Sequence, residues 1–383
     1  MNMVPHLRFL QYQELWVNRL LEDLAVRGSG HTPAKNHGEY YNGAIKWVSL
    51  ADSKKLDKGY IDQTKFTITE DGIKNSSAVL HPAGSVLLSR DAGVGKSAVM
   101  KSDMAVSQHF IVWRTNEGDL DNWFLYYILQ IQKREFERIA IGSTIKTIGL
   151  PYFKKLRINV PTFFEQQKIA TFLSAVDTKI QQLQRKKELL EQYKKGIMQK
   201  IFSQEIKFKD EDGNDYPDWE DKRLSDTLKS IPTKPYQILK SDILPEGPFP
   251  VIDQGQKDIA GYTHNSPKLF NNGACIVYGD HTTIVKYIDY DFVVGADGTK
   301  LLQSETENMK FMFYNILFNN IEPEGYKRHF SILKTITLNI PCLDEQSKIE
   351  VILSSIDKKT LIVNNELTAM TDFKKGLLQQ MFI

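Results

Sequence analysis

Two stretches of the chain carry apolar residues at alternating steps of three and four, the spacing that keeps one side of a helix facing a partner. The first stretch begins near Thr162 and the second near Leu343. Polar and charged residues fill the positions between them, so the pattern predicts two long amphipathic helices. The first apolar seam comprises Ile169, Leu173, Val176, Ile180, Leu183, Leu190, Ile197 and Ile201, and the second comprises Ile349, Leu353, Ile356, Val363, Leu367, Met370, Leu377 and Met381.

The two stretches are copies of one segment, repeated at a fixed offset of 180 residues. The first copy reads LRINVPTFFEQQKIATFLSAVDTKI from Leu156, and the second reads ITLNIPCLDEQSKIEVILSSIDKKT from Ile336. Thr162 and Glu165 have the spacing of a capping box, which predicts a helix start just after Pro161. One such helix is typical of an ordinary domain core, whereas two matching copies favour two helices that pack on each other.

The segments that precede the two helices differ in detail but share one plan. Each opens with a tryptophan and a short amphipathic helix, continues with short apolar runs broken by Gly, Asn and Asp, and closes with a helix rich in aromatic residues. The predicted strands include Ile45–Leu50, Ser85–Ser89, Phe110–Trp113, Phe249–Ile252, Cys275–Tyr278 and Phe292–Val294, and the closing helices are Trp123–Gln132 and Lys310–Phe318.

These elements predict an α+β fold, with two similar mixed α/β domains separated by two long antiparallel helices. The helices are expected to form a coiled coil with an approximate two-fold axis. The expected boundaries are 1–160 for the first domain, 161–203 for the central helix, 204–340 for the second domain and 341–383 for the C-terminal helix.

Charge is unevenly distributed along the chain. The net charge is only +2, but residues 1–160 hold 21 Lys and Arg against 16 Asp and Glu, and residues 203–340 hold 15 against 21. If both domains bind a polyanion such as DNA, the second must do so through a local patch and not through its overall charge. No stretch resembles a signal peptide or a membrane span, and Cys275 and Cys342 lack metal-ligand spacing. We expect a reduced, metal-free cytoplasmic protein.

The residues of the first domain that could carry chemistry lie in loops. A glycine-rich segment that ends in Lys96 and Ser97 resembles the end of a phosphate-binding P-loop, but Arg90 stands where that motif needs glycine. It can be a turn between strands, or a DNA-facing loop in which these three side chains meet phosphate. A nucleotide hydrolase that uses Lys96 is a third hypothesis. Gln108 could bind an adenine edge and His109 a phosphate, although a histidine beside a strand is more often structural.

The second domain offers two glycine-bracketed polar segments, Gly279–Thr283 and Gly295–Gly298, and a basic cluster. Such segments are usually tight turns, but they also expose side chains that can contact DNA. The sequence shows no methyl-donor loop with an Asn-Pro-Pro-Tyr type motif and no full helicase Walker pair, so we expect no catalytic residues. The DNA-binding candidates are His281, Thr282, Lys300, Lys327, Arg328 and His329, with Ser29, His31, Thr32, Lys35 and Lys146 added from the first domain.

The whole chain resembles the specificity (S) subunits of type I restriction-modification systems, the HsdS family. The most specific parts of the resemblance are the Glu-Gln-x-Lys-Ile that follows Pro161 and Pro341, the Lys-Lys-Gly near each helix end, and the segment Phe202–Trp219. Gly28–Pro33 also resembles the opening of a target-recognition domain in that family, whereas Ser230–Pro235 departs from its glycine-rich form.

The resemblance implies that each domain is a target-recognition domain that reads one half of a split sequence in double-stranded DNA, with the long helices setting the spacing. It implies two modification subunits as partners, which methylate adenine with S-adenosylmethionine. It also implies two restriction subunits, motor-nucleases that use ATP and Mg²⁺, whereas this chain itself binds no cofactor. The competing hypothesis is a coiled-coil adaptor whose domains bind proteins, which the acidic second domain favours slightly.

Overall fold

The computed structural model describes residues 4–143, 145–295, 297–325 and 327–383. By its contacts the chain divides into two compact units, Met1–Arg185 with Asn365–Ile383, and Lys186–Asn364. Each unit contains one mixed domain, the first half of the long helix that follows it, and the last half of the other long helix. The division therefore falls inside both helices, whereas the boundaries expected from the sequence lay at the starts of both helices and at the end of the first.

The first unit contains two sheets and a two-stranded ribbon. Its strands are β1 (Val17–Leu20), β2 (Ala25–Ser29), β3 (Tyr41–Val48), β4 (Tyr60–Ile61), β5 (Phe66–Ile68), β6 (Leu80–His81), β7 (Val86–Ser89), β8 (Ser97–Met100), β9 (Met104–Val106), β10 (Phe110–Thr115) and β11 (Arg157–Val160). The sheet orders are β2-β10-β7-β8-β4, β5-β3-β9-β6 and β1-β11.

The second unit repeats this arrangement. Its strands are β12 (Glu220–Arg223), β13 (Lys229–Ile231), β14 (Phe249–Ile252), β15 (Gly261–Thr263), β16 (Leu269–Phe270), β17 (Cys275–Gly279), β18 (Val285–Ile288), β19 (Phe292–Val294), β20 (Thr299–Gln303) and β21 (Thr337–Ile340). The sheet orders are β13-β20-β17-β18, β15-β14-β19-β16 and β12-β21. Each unit has one parallel strand pair in its second sheet, β3 with β9 and β14 with β19. The two domains therefore share one topology, except that the first sheet of the first unit has an additional edge strand, β4, parallel to β8.

The helices complete each domain and explain the apolar runs of the strands. The helices are α1 (Leu21–Leu24), α2 (Glu70–Lys74), α3 (Asn122–Ile139), α4 (Leu150–Lys154), α5 (Phe163–Phe202), α6 (Leu224–Thr227), α7 (Met309–Phe318), α8 (Phe330–Leu333) and α9 (Leu343–Gln380). In β7, Leu87 faces the second sheet, and its neighbour Leu88 packs in the cluster that contains α3. In β17, Val277 likewise packs toward the second sheet, and its neighbour Tyr278 packs in the cluster that contains α7. The central strands are apolar throughout because both of their faces are covered.

The predicted fold class is confirmed, with two differences in local structure. The strands and aromatic helices that the pattern predicted are present, within about four residues at their ends, except that α3 continues to Ile139, seven residues beyond the predicted end at Gln132. The short amphipathic helix expected after Trp16 and after Trp219 is only one turn, because the strands β1 and β12 occupy the residues directly after each tryptophan. These strands pair with β11 and β21, so a long-range partner decides their conformation.

Every predicted seam residue of the two long helices is buried or half-buried. Within the first unit, Leu173 of α5 and Leu377 of α9 belong to one apolar cluster together with the aromatic side chains of α3. Within the second unit, Leu353 of α9 and Ile201 of α5 belong to the corresponding cluster around α7. The seam therefore packs against the domain cores as well as between helices, which makes each long helix part of a folded domain.

The Glu-Gln of the repeat joins each long helix to its domain. Gln166 accepts a hydrogen bond from the backbone N–H of Asp121, the N-cap of α3, at 3.0 Å and donates to the carbonyl of Pro161 at 3.1 Å. Gln346 makes the same two contacts in the second unit, with the N–H of Asn308 at 2.9 Å and the carbonyl of Pro341 at 2.9 Å. The repeated proline and glutamine thus fix the start of the long helix on the start of the domain's aromatic helix.

A second repeated joint, the Tyr–Asp–Lys clamp, links each domain to both long helices. In the first unit Tyr127 of α3 donates to Asp177 of α5 at 2.8 Å, and Lys374 of α9 lies 2.5 Å from the same carboxylate. In the second unit Asp357 of α9 accepts from Tyr314 of α7 at 2.7 Å and from Lys194 of α5 at 2.6 Å. Burial raises the pKa of both tyrosine hydroxyls, and the adjacent aspartate raises it further. Each hydroxyl therefore stays protonated and donates to its aspartate.

Within the second unit the paired helix segments run antiparallel. Lys187 of α5 contacts Asn364 of α9 at 2.8 Å, and Lys194, one heptad further along α5, contacts Asp357, one heptad earlier on α9. The antiparallel direction that the repeat predicted is therefore found in these contacts.

The capping box predicted at Thr162 and Glu165 is wrong. Both carboxylate oxygens of Glu165 accept hydrogen bonds from the guanidinium of Arg8, each at 2.7 Å. The equivalent Glu345 instead accepts from the indole N–H of Trp219 at 3.0 Å. Burial raises the pKa of Glu345, and this single hydrogen bond does not offset it. The buried glutamate of the repeat is therefore paired with a cation in the first copy and with a neutral donor in the second.

This difference predicts opposite effects of two matched substitutions. Glu165→Gln should lower the free energy of unfolding by about 3 kcal/mol, because it leaves a guanidinium without its buried carboxylate partner. Glu345→Gln should leave stability unchanged or raise it at pH 7, because glutamine can still accept from Trp219 and carries no charge to bury.

The pH dependence follows from the raised pKa of Glu345. The unfolded chain ionises this carboxyl at a lower pH than the folded chain does, so folding stability is lost as the pH rises between the two pKa values. The advantage of Glu345→Gln should therefore shrink as the pH falls toward the usual carboxyl range. Urea unfolding of both variants at several pH values checks this, and equal destabilisation by the two substitutions would contradict it.

Candidate nucleic-acid interface

The segment that follows β2 is held against the end of β9. Gly30 has no room for a side chain, because a Cβ there would overlap the backbone carbonyl of Val106. Trp47 donates its indole N–H to the carbonyl of His31 at 3.1 Å, which fixes the segment from its other side. The backbone is therefore anchored while predicted DNA-binding side chains stay exposed, namely Ser29, His31 and Lys35.

The turn between β9 and β10 is tied to the same segment. Thr32 donates its hydroxyl to Oε1 of Gln108 at 2.6 Å, and Gln108 is exposed. The pair stands at an open cleft of about 470 Å³, to which Tyr41, Trp47 and Phe66 contribute aromatic surface. The fold thus brings two predicted residues, 76 positions apart, into direct contact.

The carboxylate of Asp91 contacts side chains from three parts of the chain beside this cleft. Its carboxylate contacts Nδ1 of His109 at 2.8 Å and Nε of Arg90 at 3.5 Å, and it accepts a hydrogen bond from Thr147. Burial alone would raise the pKa of Asp91, but the hydrogen bonds from Thr147 and His109 and the charge of Arg90 lower it. The ionised carboxylate therefore holds these groups next to the α3–α4 loop, which also carries the exposed Lys146.

Two predicted DNA-binding residues of the first domain, Lys96 and Ser97, form hydrogen bonds within the domain instead. Ser97 is fully buried and its hydroxyl accepts from Nε2 of Gln130 at 2.7 Å, so its prediction as a phosphate contact is wrong. Lys96 donates to the carbonyl and to the hydroxyl of Ser53, both at 3.2 Å. The glycine-rich segment is a turn that leads into the strand β8, whereas a P-loop leads into a helix N-terminus. This geometry contradicts the nucleotide-hydrolase hypothesis.

Equivalent backbone hydrogen bonds mark the two ends of the corresponding turns in the two domains. In each domain one bond extends the parallel strand pair into the turn, and a second ties the end of the central strand to the residue before the next strand. Counted back from the carbonyl of that second bond, Gln108 and Asp297 hold the same position, and the turn of the second domain is one residue longer at its start. The first bond runs from the N–H of Ser107 to the carbonyl of Val48 at 2.9 Å, and in the second domain from the N–H of Gly295 to the carbonyl of Ile252 at 2.9 Å. The second bond runs from the N–H of Arg90 to the carbonyl of His109 at 2.9 Å, and in the second domain from the N–H of Asp280 to the carbonyl of Gly298 at 2.8 Å.

Asp297 is fixed by two glutamines. Gln237 donates its amide to Oδ1 of Asp297 at 2.6 Å, and Gln254 donates to the Asp297 carbonyl at 2.7 Å. Gln254 also accepts from the N–H of His281 at 3.1 Å and, through its carbonyl, from Thr282 at 2.6 Å. Asp297, His281 and Thr282 are therefore parts of one hydrogen-bonded surface.

The basic cluster of the second domain joins the same surface. Nδ1 of His281 lies 3.1 Å from the carbonyl of Lys327, whose side chain is exposed, as is that of Arg328. Lys300 is half-buried, with Nζ 3.8 Å from the carboxylate of the buried Asp280. The cluster thus presents two exposed cations, Lys327, which is paired with Glu324 at 3.1 Å, and Arg328.

His329 is a structural residue, so its prediction as a DNA contact is wrong. It is 1% exposed, and Nδ1 lies 3.1 Å from the carbonyl of Asp280. The other ring nitrogen accepts a hydrogen bond from the N–H of Glu324 at 3.0 Å. Both ring nitrogens are therefore occupied inside the domain.

The sequence did not point to the residues that support these surfaces. Tyr41 and Trp47 hold the segment after β2, and Gln237 and Gln254 hold Asp297. Asp297 stood in a glycine-bracketed segment that the sequence offered as a turn or a DNA contact, but Asp297 was not among the named candidates, and Ala296 of that segment lies outside the described residues. The glutamines stand in irregular segments without a periodic pattern, so no local signal could have revealed their partners.

Within the described ranges, no group of His, Cys, Asp and Glu side chains is arranged to hold a metal ion. No helix among the same residues is long and apolar enough to cross a membrane. The exposed groups of both surfaces are amides, a carboxylate, imidazoles and cations, which are the groups that contact base edges and phosphates in protein–DNA complexes.

A family model for the type I restriction modification DNA specificity domain matches residues 13–192 and residues 216–370. The chain belongs to this family. Each match covers one mixed domain and part of the long helix that follows it, so the internal repeat is a repeat of the specificity domain itself.

Known specificity subunits resemble the chain in sequence. It is 30% identical over 224 residues to the specificity subunit of the type I restriction enzyme MjaIX of Methanocaldococcus jannaschii, a match that covers 56% of this chain and about half, 52%, of that relative. A chain assigned as the MjaX specificity subunit of the same organism is 26% identical over 408 aligned residues, covering 95% of this chain and 92% of that one.

The fold of the specificity subunits is also shared. The crystal structure of the type I restriction-modification S subunit from M. genitalium has a TM-score of 0.68 to this chain at 17% identity and covers 100% of this chain and 99% of that one. At this identity the likeness concerns the fold alone.

Proposed function

We propose that this chain is the DNA-reading subunit of a type I restriction-modification complex and that each domain reads one half of a split sequence. The observation that carries the proposal is that the two domains share a backbone arrangement but present different side chains at corresponding exposed positions. Counted from the backbone bond at the end of each turn, Gln108 of the first domain corresponds to Asp297 of the second, and Arg90 corresponds to Asp280. Because different side chains select different base edges, the two halves of the target should differ.

Cationic side chains near each turn support binding to DNA. The half-buried Arg90 donates its backbone N–H to the carbonyl of His109, the residue after Gln108. Lys146, Lys327 and Arg328 are exposed, and the carbonyl of Lys327 contacts the ring of His281. Contacts from such side chains to phosphate position a protein on the duplex, and base contacts then specify the sequence. In the second domain, whose sequence is acidic as a whole, this local cluster is the feature that favours DNA over a protein partner.

The chain would supply recognition and assembly, without catalytic residues or a bound cofactor of its own. Two modification subunits would methylate adenine with S-adenosylmethionine, and two restriction subunits would supply the motor and nuclease activities with ATP and Mg²⁺. The two long helices would set the distance between the half-sites. Membership of the specificity family and the relatives named as subunits of restriction enzymes support this assembly, which would act in the cytoplasm.

Sequencing of methylated adenines tests the proposal directly. Cells that express the chain with its modification subunits should carry methylation at one split motif with two unlike halves. Exchanging residues 204–340 for the same segment of another specificity subunit should change one half only. An assembled complex that binds duplexes without sequence preference, and without dependence on salt, would instead favour the coiled-coil adaptor.

Arg328→Ala should weaken DNA binding without changing which sequence is preferred. If Arg328 contacts one phosphate, its loss should reduce the slope of log affinity against log salt by about 0.9 and weaken cognate and mismatched duplexes alike. The matched control is Lys229→Ala, because Lys229 pairs with Gln303 at the end of β20 remote from Asp297. Titrations at three salt concentrations measure the slope, and a changed base preference would contradict a phosphate contact.

A further inference from the structure

The orientation of the Gln108 amide is set by its neighbour. The Thr32 hydroxyl donates to Oε1 of Gln108 at 2.6 Å, so the amide oxygen of Gln108 faces Thr32. Among the residues that the structure describes, no hydrogen-bond partner is recorded for the Nε2 group. Gln108 therefore offers two N–H donors on the exposed side of the turn.

The corresponding side chain of the second domain has the opposite character. Nε2 of Gln237 donates to Oδ1 of Asp297 at 2.6 Å, which fixes the carboxylate through one oxygen. Asp297 is exposed, and its second oxygen has no recorded partner within the described part of the chain. An ionised carboxylate can only accept hydrogen bonds, so Asp297 offers an acceptor at the position where Gln108 offers donors.

We infer that Gln108 and Asp297 are specificity-determining residues that read base edges of opposite hydrogen-bond polarity in the two half-sites. Gln108 donates to a major-groove acceptor, which is N7 or O6 of a purine or O4 of thymine. Asp297 accepts from a major-groove amino group, which is N4 of cytosine or N6 of adenine. This inference rests on the proposed function, because it names the chemistry by which each domain reads its half.

Both side chains are held in place before any ligand is bound. Thr32 lies in the segment that Trp47 anchors, and Gln108 lies in the turn between two sheet strands. On the other domain, Gly298 directly follows Asp297, with φ of +83° and no room for a Cβ beside Gln254 and His281. A donor or acceptor fixed in this way loses little conformational freedom on binding, so it discriminates between base edges more sharply than a mobile side chain does.

The test is an exchange of hydrogen-bond polarity with almost no change of shape. Gln108→Glu and Asp297→Asn are each combined with the modification subunits, and base preference is measured by methylation sequencing and by selection from randomised duplexes. Gln108→Glu should change the preference at one position of the first domain's half-site by about ten-fold or more, from an acceptor-bearing to an amino-bearing base. Asp297→Asn should relax one position of the other half-site by a similar factor.

Two control variants separate base reading from positioning and from folding. Thr32→Val removes the bond that orients Gln108, so it should keep the preferred base and reduce the discrimination at that position. Asp289→Asn makes the same chemical change as Asp297→Asn after β18, at the end of the sheet remote from the turn, and should leave both halves unchanged. Because all four substitutions are close to isosteric, thermal unfolding of each variant should match that of the parent.

The possible results are distinct. Unchanged preferences in folded Gln108→Glu and Asp297→Asn variants, or a change in the wrong half-site, would overturn the polarity assignment and leave the proposed function standing. A parent complex that gives no split motif would overturn the proposed function itself. Polarity-dependent changes confined to one half each would support both.

Discussion

A matched insertion of one heptad into both long helices should lengthen the spacer between the half-sites by about three base pairs and leave both half-sequences unchanged. Repeating Ile180–Lys186 in α5 and Thr360–Glu366 in α9 keeps the apolar seam in phase and adds about 10 Å of helix at 1.5 Å per residue. Each base pair of the duplex rises by about 3.4 Å. Methylation sequencing of the variant with its modification subunits measures the spacer and both halves in one experiment.

An insertion into α5 alone is the informative control. Lys187 and Lys194 contact Asn364 and Asp357 in the second unit, so an unmatched heptad displaces either these two contacts or the Tyr–Asp–Lys clamp of the first unit. We expect loss of stability and of methylation from the single insertion, in contrast to an altered spacer from the matched pair. Altered half-sequences with the parental spacer in the matched variant would contradict the ruler role of the helices.

Leu173→Ala and Leu353→Ala should each remove about 3 kcal/mol from the free energy of unfolding. Both side chains are fully buried, and they occupy the same position in the two copies of the repeat. Truncation of a buried leucine loses transfer free energy and leaves a cavity that the surrounding core fills only in part. Urea unfolding of the two variants measures the loss.

Hydrogen exchange should show that the two losses are local. Leu173 belongs to the core of the first unit and Leu353 to that of the second, so each variant should speed exchange mainly in α3 or in α7, respectively. The matched control is Leu361→Ala on the exposed side of α9, where the side chain is 59% exposed and the expected cost is below about 0.5 kcal/mol. Equal losses at Leu353 and Leu361 would mean that the buried side of α9 had been assigned wrongly.

The sequence predicted the long helices well because helical periodicity is a local property. The first helix, expected from Thr162 to Phe202, spans Phe163–Phe202. The capping box failed because Glu165 has a partner that no local pattern can reveal, the side chain of Arg8 at a separation of 157 residues. A bidentate ion pair between the half-buried Arg8 and the buried Glu165 outweighs the local capping bond.

The candidate interface was predicted in part. Thr32, Gln108, His281, Lys327 and Arg328 lie in surface loops, as expected, because polar segments between strands cannot be buried without hydrogen-bond partners. Ser97 and His329 looked the same in the sequence but are buried, since each satisfies its polar atoms with a residue elsewhere in its domain. Whether a polar loop residue is exposed depends on which other parts of the chain pack over it, and the local sequence does not show this.

The sequence by itself determined the duplication, the two long amphipathic helices, the strand-rich domains and the family resemblance, because each of these follows from residue order and periodicity alone. Only the tertiary structure decided how Gln166 and Asp177 join helix to domain, and that Gln108 corresponds to Asp297 with opposite hydrogen-bond polarity. The physical reason is that these features depend on contacts between groups far apart along the chain. Such contacts arise from tertiary packing, and they produce no periodic pattern that could be recognised in the sequence.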